Sequence, residues 1–474
     1  MLFNSFDFAI FLPIVFIVYW FVVNKNLRAQ NLWLLVASYF FYGWWDPRFL
    51  ILIFASTLID YGVGHFLGKT SNTSRRRYLL LLSIFVNLGL LGFFKYFNFF
   101  IDSFQSAFTF FGGEISSSVT LQIILPIGIS FYTFQSLSYT IDIYRKKIPP
   151  TTDFVAFAAF VSFFPQLVIG PIERAAHMLP QFQKKRTFNS NKAILGVKQI
   201  VWGLFKKMVI ADGCAQYVNV IFNDYETASG LTLVVGAIYF TFQVYADFSG
   251  YSDIAIGIAK LFNFKLMTNF KYPLFAKNIA EFWRTWHISL MLWFRDYIYF
   301  PLGGSRVGTI KTVRNVMIVF IISGLWHGAN WTFIIFGAYH GILYSIHYFF
   351  RRGASNPISA TSNWLIQHIK MVITFCLVAF GMIFFRAPSL EVARVYIQNM
   401  FSLNFSLEML DIGRYTIEML PLIVVLISIE WFSRHKSFPF SSYKLDIVPM
   451  AILIGMIIFF GSFSDSQEFI YFKF

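Results

Sequence analysis

The chain predicts an all-α fold, a polytopic bundle of membrane-crossing helices, organised as one integral membrane domain over residues 1–474. Three observations point there. Of the 474 residues, 57% are hydrophobic and only 13% charged, where soluble domains carry about 25% charged residues. Apolar stretches of about 20 residues, the length that crosses a hydrocarbon layer, recur from one end to the other. No polar block between them is long enough to fold by itself.

The first stretch, 8–23, follows Asp7 rather than basic residues, and no small-residue cleavage site comes after it. It reads as a retained span and not as a cleaved signal. Stretches 31–45, 49–67 and 78–94 follow. Those at 121–143 and 154–170 contain Pro126, Gly128 and Pro165, which suits re-entrant segments. The remainder, 195–222, 230–247, 315–335, 331–350, 365–384, 416–432 and 447–463, brings the expectation to about 10–13 membrane segments. The motif-rich core falls in 120–350 and the C-terminal spans in 364–474.

Loop charge orients the early spans. Lys25 and Arg28, then Lys69, Arg75, Arg76 and Arg77, then Arg145, Lys146 and Lys147 mark alternate loops, while the intervening loops are poor in basic residues. By the positive-inside rule these three loops are cytoplasmic and the N-terminus lies outside. The formal charge of +15 is dispersed, which fits cytoplasmic loops against a lipid membrane and argues against a nucleic-acid partner. Cys214 and Cys376 lie in separate apolar stretches, so no disulfide framework is implied.

The stretch from Phe264 to Arg314 is basic and aromatic. It carries Lys265, Lys271, Lys277, Arg284, Arg295, Arg306, Lys311 and Arg314 against only Glu281 and Asp296. Residues 282–297 suit one helix lying at the membrane surface. Two readings fit this floor: a loop anchored on anionic lipid, or a seat for a polyanionic cytosolic substrate such as the phosphates of coenzyme A or a nucleotide. No Gly-rich phosphate loop of the Walker type occurs, so an ATP-driven reaction has no support.

Of eight histidines, four lie between 287 and 347. His327 sits in Gly324-Leu325-Trp326-His327-Gly328-Ala329-Asn330-Trp331, inside one of the most apolar stretches. An imidazole placed there is costly and serves either proton transfer or buried packing. Gly324 and Gly328 allow close approach, and Trp326, Asn330 and Trp331 supply aromatic walls and a polar group. His327 and His340 are separated by about 220° on an unbroken helix, and no His-Glu-x-x-His pattern or Cys partner occurs. A metal site is therefore not expected. His340 and His347 read more readily as packed polar residues. His287, beside Trp286, serves either to support a reacting group or to bond a backbone carbonyl. Asp247 and Asp253 read as caps between two helices or as partners of the arginines of the floor. No Gly-x-Ser-x-Gly sequence supports a serine hydrolase.

Several longer motifs resemble a known family. They are Met1-Leu2-Phe3-Asn4-Ser5, Ser38-Tyr39-Phe40-Phe41-Tyr42-Gly43-Trp44-Trp45, Leu125-Pro126-Ile127-Gly128-Ile129-Ser130-Phe131-Tyr132-Thr133-Phe134-Gln135 and Phe164-Pro165-Gln166-Leu167-Val168-Ile169-Gly170-Pro171-Ile172. To these add Asp247-Phe248-Ser249-Gly250-Tyr251-Ser252-Asp253, Phe282-Trp283-Arg284-Thr285-Trp286-His287-Ile288-Ser289-Leu290, Arg295-Asp296-Tyr297-Ile298-Tyr299, the His327 motif and Gly337-Ala338-Tyr339-His340-Gly341. Together they resemble the membrane-bound O-acyltransferase family, in its branch of bacterial alginate O-acetyltransferase membrane subunits.

The resemblance implies a helical bundle around a central tunnel, with interfacial helices. It implies His327 as catalytic base and His287 as a supporting catalytic residue. Trp326, Asn330, Trp331, Arg284, Arg295 and Asp296 become candidate substrate contacts. It further implies acetyl-CoA (an acyl-CoA) as donor substrate with no bound cofactor and no metal. The acceptor would be a polysaccharide such as alginate, served by an extracytoplasmic SGNH-type transferase or esterase partner, and the chain would lie in the bacterial cytoplasmic membrane. D-alanyl transfer to teichoic acid, peptidoglycan O-acetylation and a polysaccharide export channel stand as alternatives.

Overall fold

The computed structural model describes residues 1–112, 121–353, 363–402, 415–442, 446–463 and 469–470, and every regular element among them is helical. Six described helices are long and apolar enough to cross a membrane, and three shorter apolar ones accompany them. The chain packs as two compact units, residues 1–197 with 255–267, and 198–254 with 268–474.

The first unit holds α1 (Phe6–Ile17), α2 (Leu27–Gly43), α3 (Phe49–Lys69), α4 (Thr73–Leu91), α5 (Phe97–Phe110), α6 (Ile129–Tyr144), α7 (Phe154–Ser162), α8 (Phe164–Leu167), α9 (Ala175–Phe182) and the start of α10 (Ser190–Leu204). Side-chain caps open several of them. Ser5 accepts from the Phe8 amide, Asn72 from that of Arg75 and Asp153 from that of Ala156, each satisfying an N–H the helix itself leaves unpaired. A polar knot holds α3, α4 and α6. Ser83 Oγ donates to Asp60 at 2.6 Å and Asn87 Nδ2 does so at 2.8 Å, while Ser83 and Thr140 hydroxyls meet at 2.9 Å. The polar groups thus satisfy one another where water is excluded.

Stretches 121–143 and 154–170 are not single helices. Gly128 takes φ +77° ahead of α6, and the chain breaks between α7 and α8 at Phe163. The break precedes Pro165 near the start of α8, where a missing N–H costs nothing.

The second unit holds the rest of α10, α11 (Asp212–Asn223), most of α12 (Gly230–Leu261), α13 (Ile279–Thr285), α14 (Ile288–Phe294), α15 (Thr309–His327), α16 (Trp331–Gly353), α17 (Trp364–Arg386), α18 (Leu390–Met400), α19 (Tyr415–Ser433) and α20 (Ile447–Phe460). The expected helix boundary near Tyr251 does not exist, since α12 runs through it for 32 residues. Asp247 and Asp253 therefore cap nothing. A π-helical turn at Phe205–Ala211 turns two lysines inward to meet them. Lys206 Nζ lies 2.6 Å from Asp253, and Lys207 Nζ lies 2.9 Å from Asp247 and 2.7 Å from Asp212. A charge buried here needs such a partner.

The other close approach joins α15 to α16. A Cβ on Gly324 would lie 2.1 Å from the Phe333 carbonyl oxygen, and one on Gly337 would lie 2.2 Å from that of Phe320. The two helices touch backbone to backbone, which only glycine permits.

Candidate functional site

Residues 282–297 do not form the single surface helix expected. The chain breaks at His287, whose φ of 44° and ψ of 50° lie in the left-handed region. A non-glycine residue is held there at a cost of about 1–2 kcal/mol, so its surroundings must over-determine it. Asn269, fully buried, does this. Its carbonyl accepts from the Ile288 amide at 2.8 Å, and its side chain accepts from Ser289 Oγ at 2.9 Å and donates to Ser252 Oγ at 3.1 Å. The Lys271 amide adds a bond to the Thr285 carbonyl at 2.9 Å.

The imidazole so placed is 1% exposed, and neither ring nitrogen meets a hydrogen-bond partner among the described residues. Ring packing, with the turn that Asn269 holds, aims it. Its ring centroid lies 4.6 Å from Phe248, 5.9 Å from Trp326 and 6.4 Å from His327. Burial pushes its pKa down to about 3, so the ring is neutral at ordinary pH.

His327 ends α15, where Gly328 leaves the helix with extended backbone. It is 3% exposed and packs against Trp326 at 5.2 Å, Phe385 at 5.3 Å and Phe336 at 6.2 Å. Because α15 ends at His327 and α16 begins at Trp331, His327 and His340 do not share one unbroken helix. Both imidazoles pack on Phe336, and His340 lies 4.7 Å from it.

The other sequence-nominated residues divide. Trp326 packs edge-on against both imidazoles, 5.9 Å from His287 and 5.2 Å from His327. Asn330 donates to the Pro388 carbonyl at 2.8 Å and caps α16 through the Thr332 amide. Trp331 is 52% exposed. Arg284 and Arg295 line a cavity of about 330 Å³ whose other walls include Trp283, Ile288, Phe320 and Tyr344. Neither His287 nor His327 lines it, although Ile288 adjoins the first. Asp296 pairs with Arg295 at 2.8 Å.

Sequence reasoning missed Asn269 and Phe248. The first lies in a stretch without periodicity, and nothing marked it. The second lies inside the Asp247–Asp253 motif, where the carboxylates stand out and a phenylalanine does not.

Fold and site together define a polytopic membrane protein with two buried imidazoles in edge-on contact. Residues 49–386 match the membrane-bound O-acyltransferase family. The chain is 41% identical to a probable alginate O-acetylase of Pseudomonas aeruginosa, over 83% of this chain and 73% of that one. It is 35% identical to a peptidoglycan O-acetyltransferase of Helicobacter pylori, over 100% of this chain and 98% of that one. Identity to a teichoic acid D-alanyltransferase of Bacillus subtilis is 29%, over 55% and 68%. The chain belongs to the membrane-bound O-acyltransferase family and is a multi-pass membrane acyltransferase.

Proposed function

We propose that this chain moves an acetyl group from cytosolic acetyl-CoA to a hydroxyl, for the O-acetylation of an extracytoplasmic polysaccharide, alginate first among the candidates. The observation that carries the reading is the contact of two buried imidazoles, His287 and His327, at 6.4 Å between centroids. Each ring nitrogen lies about 1 Å off its centroid and reaches about 3 Å further by hydrogen bond, so both can address one reacting group.

A ring nitrogen of His327 takes the acceptor's hydroxyl proton as the oxygen bonds to the thioester carbonyl carbon. The carbon–sulfur bond then breaks, and the CoA thiolate recovers the proton as the free thiol. General-base action of this kind contributes about 10²–10⁴-fold. His287, held neutral, supports by offering one donor or acceptor to the same centre. Arg284 and Arg295 attract the donor's phosphates, and the apolar cavity beside them takes its uncharged arm. Trp326 walls the reacting group.

Acetyl transfer and the alginate acceptor draw their support from the likeness to the probable alginate O-acetylase of Pseudomonas aeruginosa. The end-to-end match to the Helicobacter enzyme favours a second reading, with peptidoglycan as acceptor. D-alanyl transfer has the weaker likeness, and a passive channel is at odds with membership of an acyltransferase family. The chain sits in the bacterial cytoplasmic membrane with its N-terminus outside, and an SGNH-type protein on the outer side completes the transfer.

The test uses the purified chain in proteoliposomes with labelled acetyl-CoA and either polymer. Acetyl transfer and CoA release are expected from the wild type and lost in His327→Ala. A folded His327→Ala chain with wild-type turnover refutes the reading, and transfer only from an aminoacylated carrier protein moves it to D-alanylation.

A further inference from the structure

Among the described residues none hydrogen-bonds the His287 ring, so its aim depends on the rings packed against it. Its shortest ring contact is Phe248, at 4.6 Å on α12. Phe248 is in turn backed by Phe469, fully buried, at 5.7 Å. Phe469 enters a slot between Phe248 and Tyr251, one helical turn apart, and lies 4.9 Å from the second ring. The adjoining Ile470 amide donates to Asp247 Oδ2 at 2.9 Å. The same carboxylate holds Lys207, whose ammonium stands over the Tyr251 ring at 5.4 Å. Residues about 180 positions downstream of His287 thus complete the wall against which it rests.

We propose that Phe469 and Ile470 form a strap that positions His287, with Phe469 acting through Phe248 as a positioning residue for acyl transfer. The Ile470 bond to Asp247 fixes the strap's register on α12. The Phe469 ring then fills the slot, and Phe248 has one place to lie. Without that ring Phe248 can swing into the slot, and His287 loses its nearest ring support. The inference rests on His287 serving the transfer.

A double-mutant cycle with full-length chains tests it. Phe469→Ala is expected to lower kcat about tenfold or more, as loss of alignment does, with KM for the donor changed by less than about twofold. In the His287→Ala background it is expected to cost nothing further, because the group it aims is gone. Phe469→Leu is expected to fall in between and serves the same cycle if the alanine variant does not fold. Rates are scaled to folded protein by gel filtration and thermal melting, which a general loss of structure would move and a loss of aim would not.

Wild-type kcat in Phe469→Ala overturns the strap, as does a loss of equal size with and without His287, or a loss confined to KM. If His287→Ala alone leaves the rate untouched, the role of His287 fails first, and the cycle shows which of the two readings has fallen.

Discussion

Gly324→Ala is the sharpest structural perturbation. The new Cβ would stand 2.1 Å from the Phe333 carbonyl oxygen and 3.2 Å from the Gly337 nitrogen, both backbone atoms. Ordinary contact begins at 3.4 Å, so the first approach falls short by 3.4 − 2.1 = 1.3 Å. No side chain can rotate away, and α15 and α16 must separate by about that much. Overpacking of this kind costs about 1–3 kcal/mol. The larger effect is on His327, one turn along α15, since a displacement near 1 Å costs about 10²-fold in rate.

The assay is acetyl transfer at saturating donor, scaled to folded protein, with the melting temperature recorded beside it. Gly62→Ala and Gly89→Ala are the controls, because nothing lies within 4 Å of a Cβ at either position. They are expected to keep wild-type rate and to gain about 0.4–1 kcal/mol through a less flexible unfolded chain. Gly324→Ala with more than about half the wild-type kcat would refute the rigid backbone contact as what places His327.

Asn269→Ala removes two side-chain bonds to the His287 turn and one to Ser252, about 1 kcal/mol each. It should lower the melting temperature and kcat together, and an unchanged kcat would show that the left-handed turn holds without it. Arg284→Gln and Arg295→Gln should each raise KM for the donor about 3–10-fold at low salt with kcat preserved, an effect that added salt diminishes. A KM indifferent to both places the donor's phosphates elsewhere. Acid stability is set in part by His287. The unfolded imidazole takes up a proton near 6.5 and the folded one only near 3, so the unfolded state binds more protons between those values. The contribution is therefore complete above pH 6.5 and lost as pH falls, by at most about 1.4 kcal/mol per pH unit. His177 acts in the opposite sense. Its bond to Glu173 raises its pKa, so its contribution is complete below about pH 6.5 and lost as pH rises through the raised value. His287→Gln should flatten the acid limb of a melting profile, and an unaltered limb contradicts the assignment.

Hydropathy made the helical membrane fold legible because burial in lipid demands long apolar runs with internally satisfied backbones. Where a run is broken, hydropathy is a poorer guide. Local composition at 282–297 reads as one amphipathic helix, and nothing local announces the left-handed turn at His287, because the force that imposes it comes from Asn269. Conversely, Asp247 and Asp253 look like the ends of helices, yet they lie within one, answered by Lys206 and Lys207 from a π-helical turn some 40 residues earlier. His327 was legible since an imidazole in hydrocarbon stands out against its neighbours. Phe248 and Phe469 were not, being two among 62 phenylalanines until the fold brings them together.

In the proposed reaction His327 is the base of acyl transfer, with His287 in support. Single-turnover CoA release by His327→Ala and His287→Ala, each confirmed as folded, tests it most directly. A loss of about 10²–10⁴-fold is expected for His327→Ala and a smaller loss for His287→Ala. Wild-type CoA release from His327→Ala would contradict it, and the greater loss in His287→Ala would exchange the two roles.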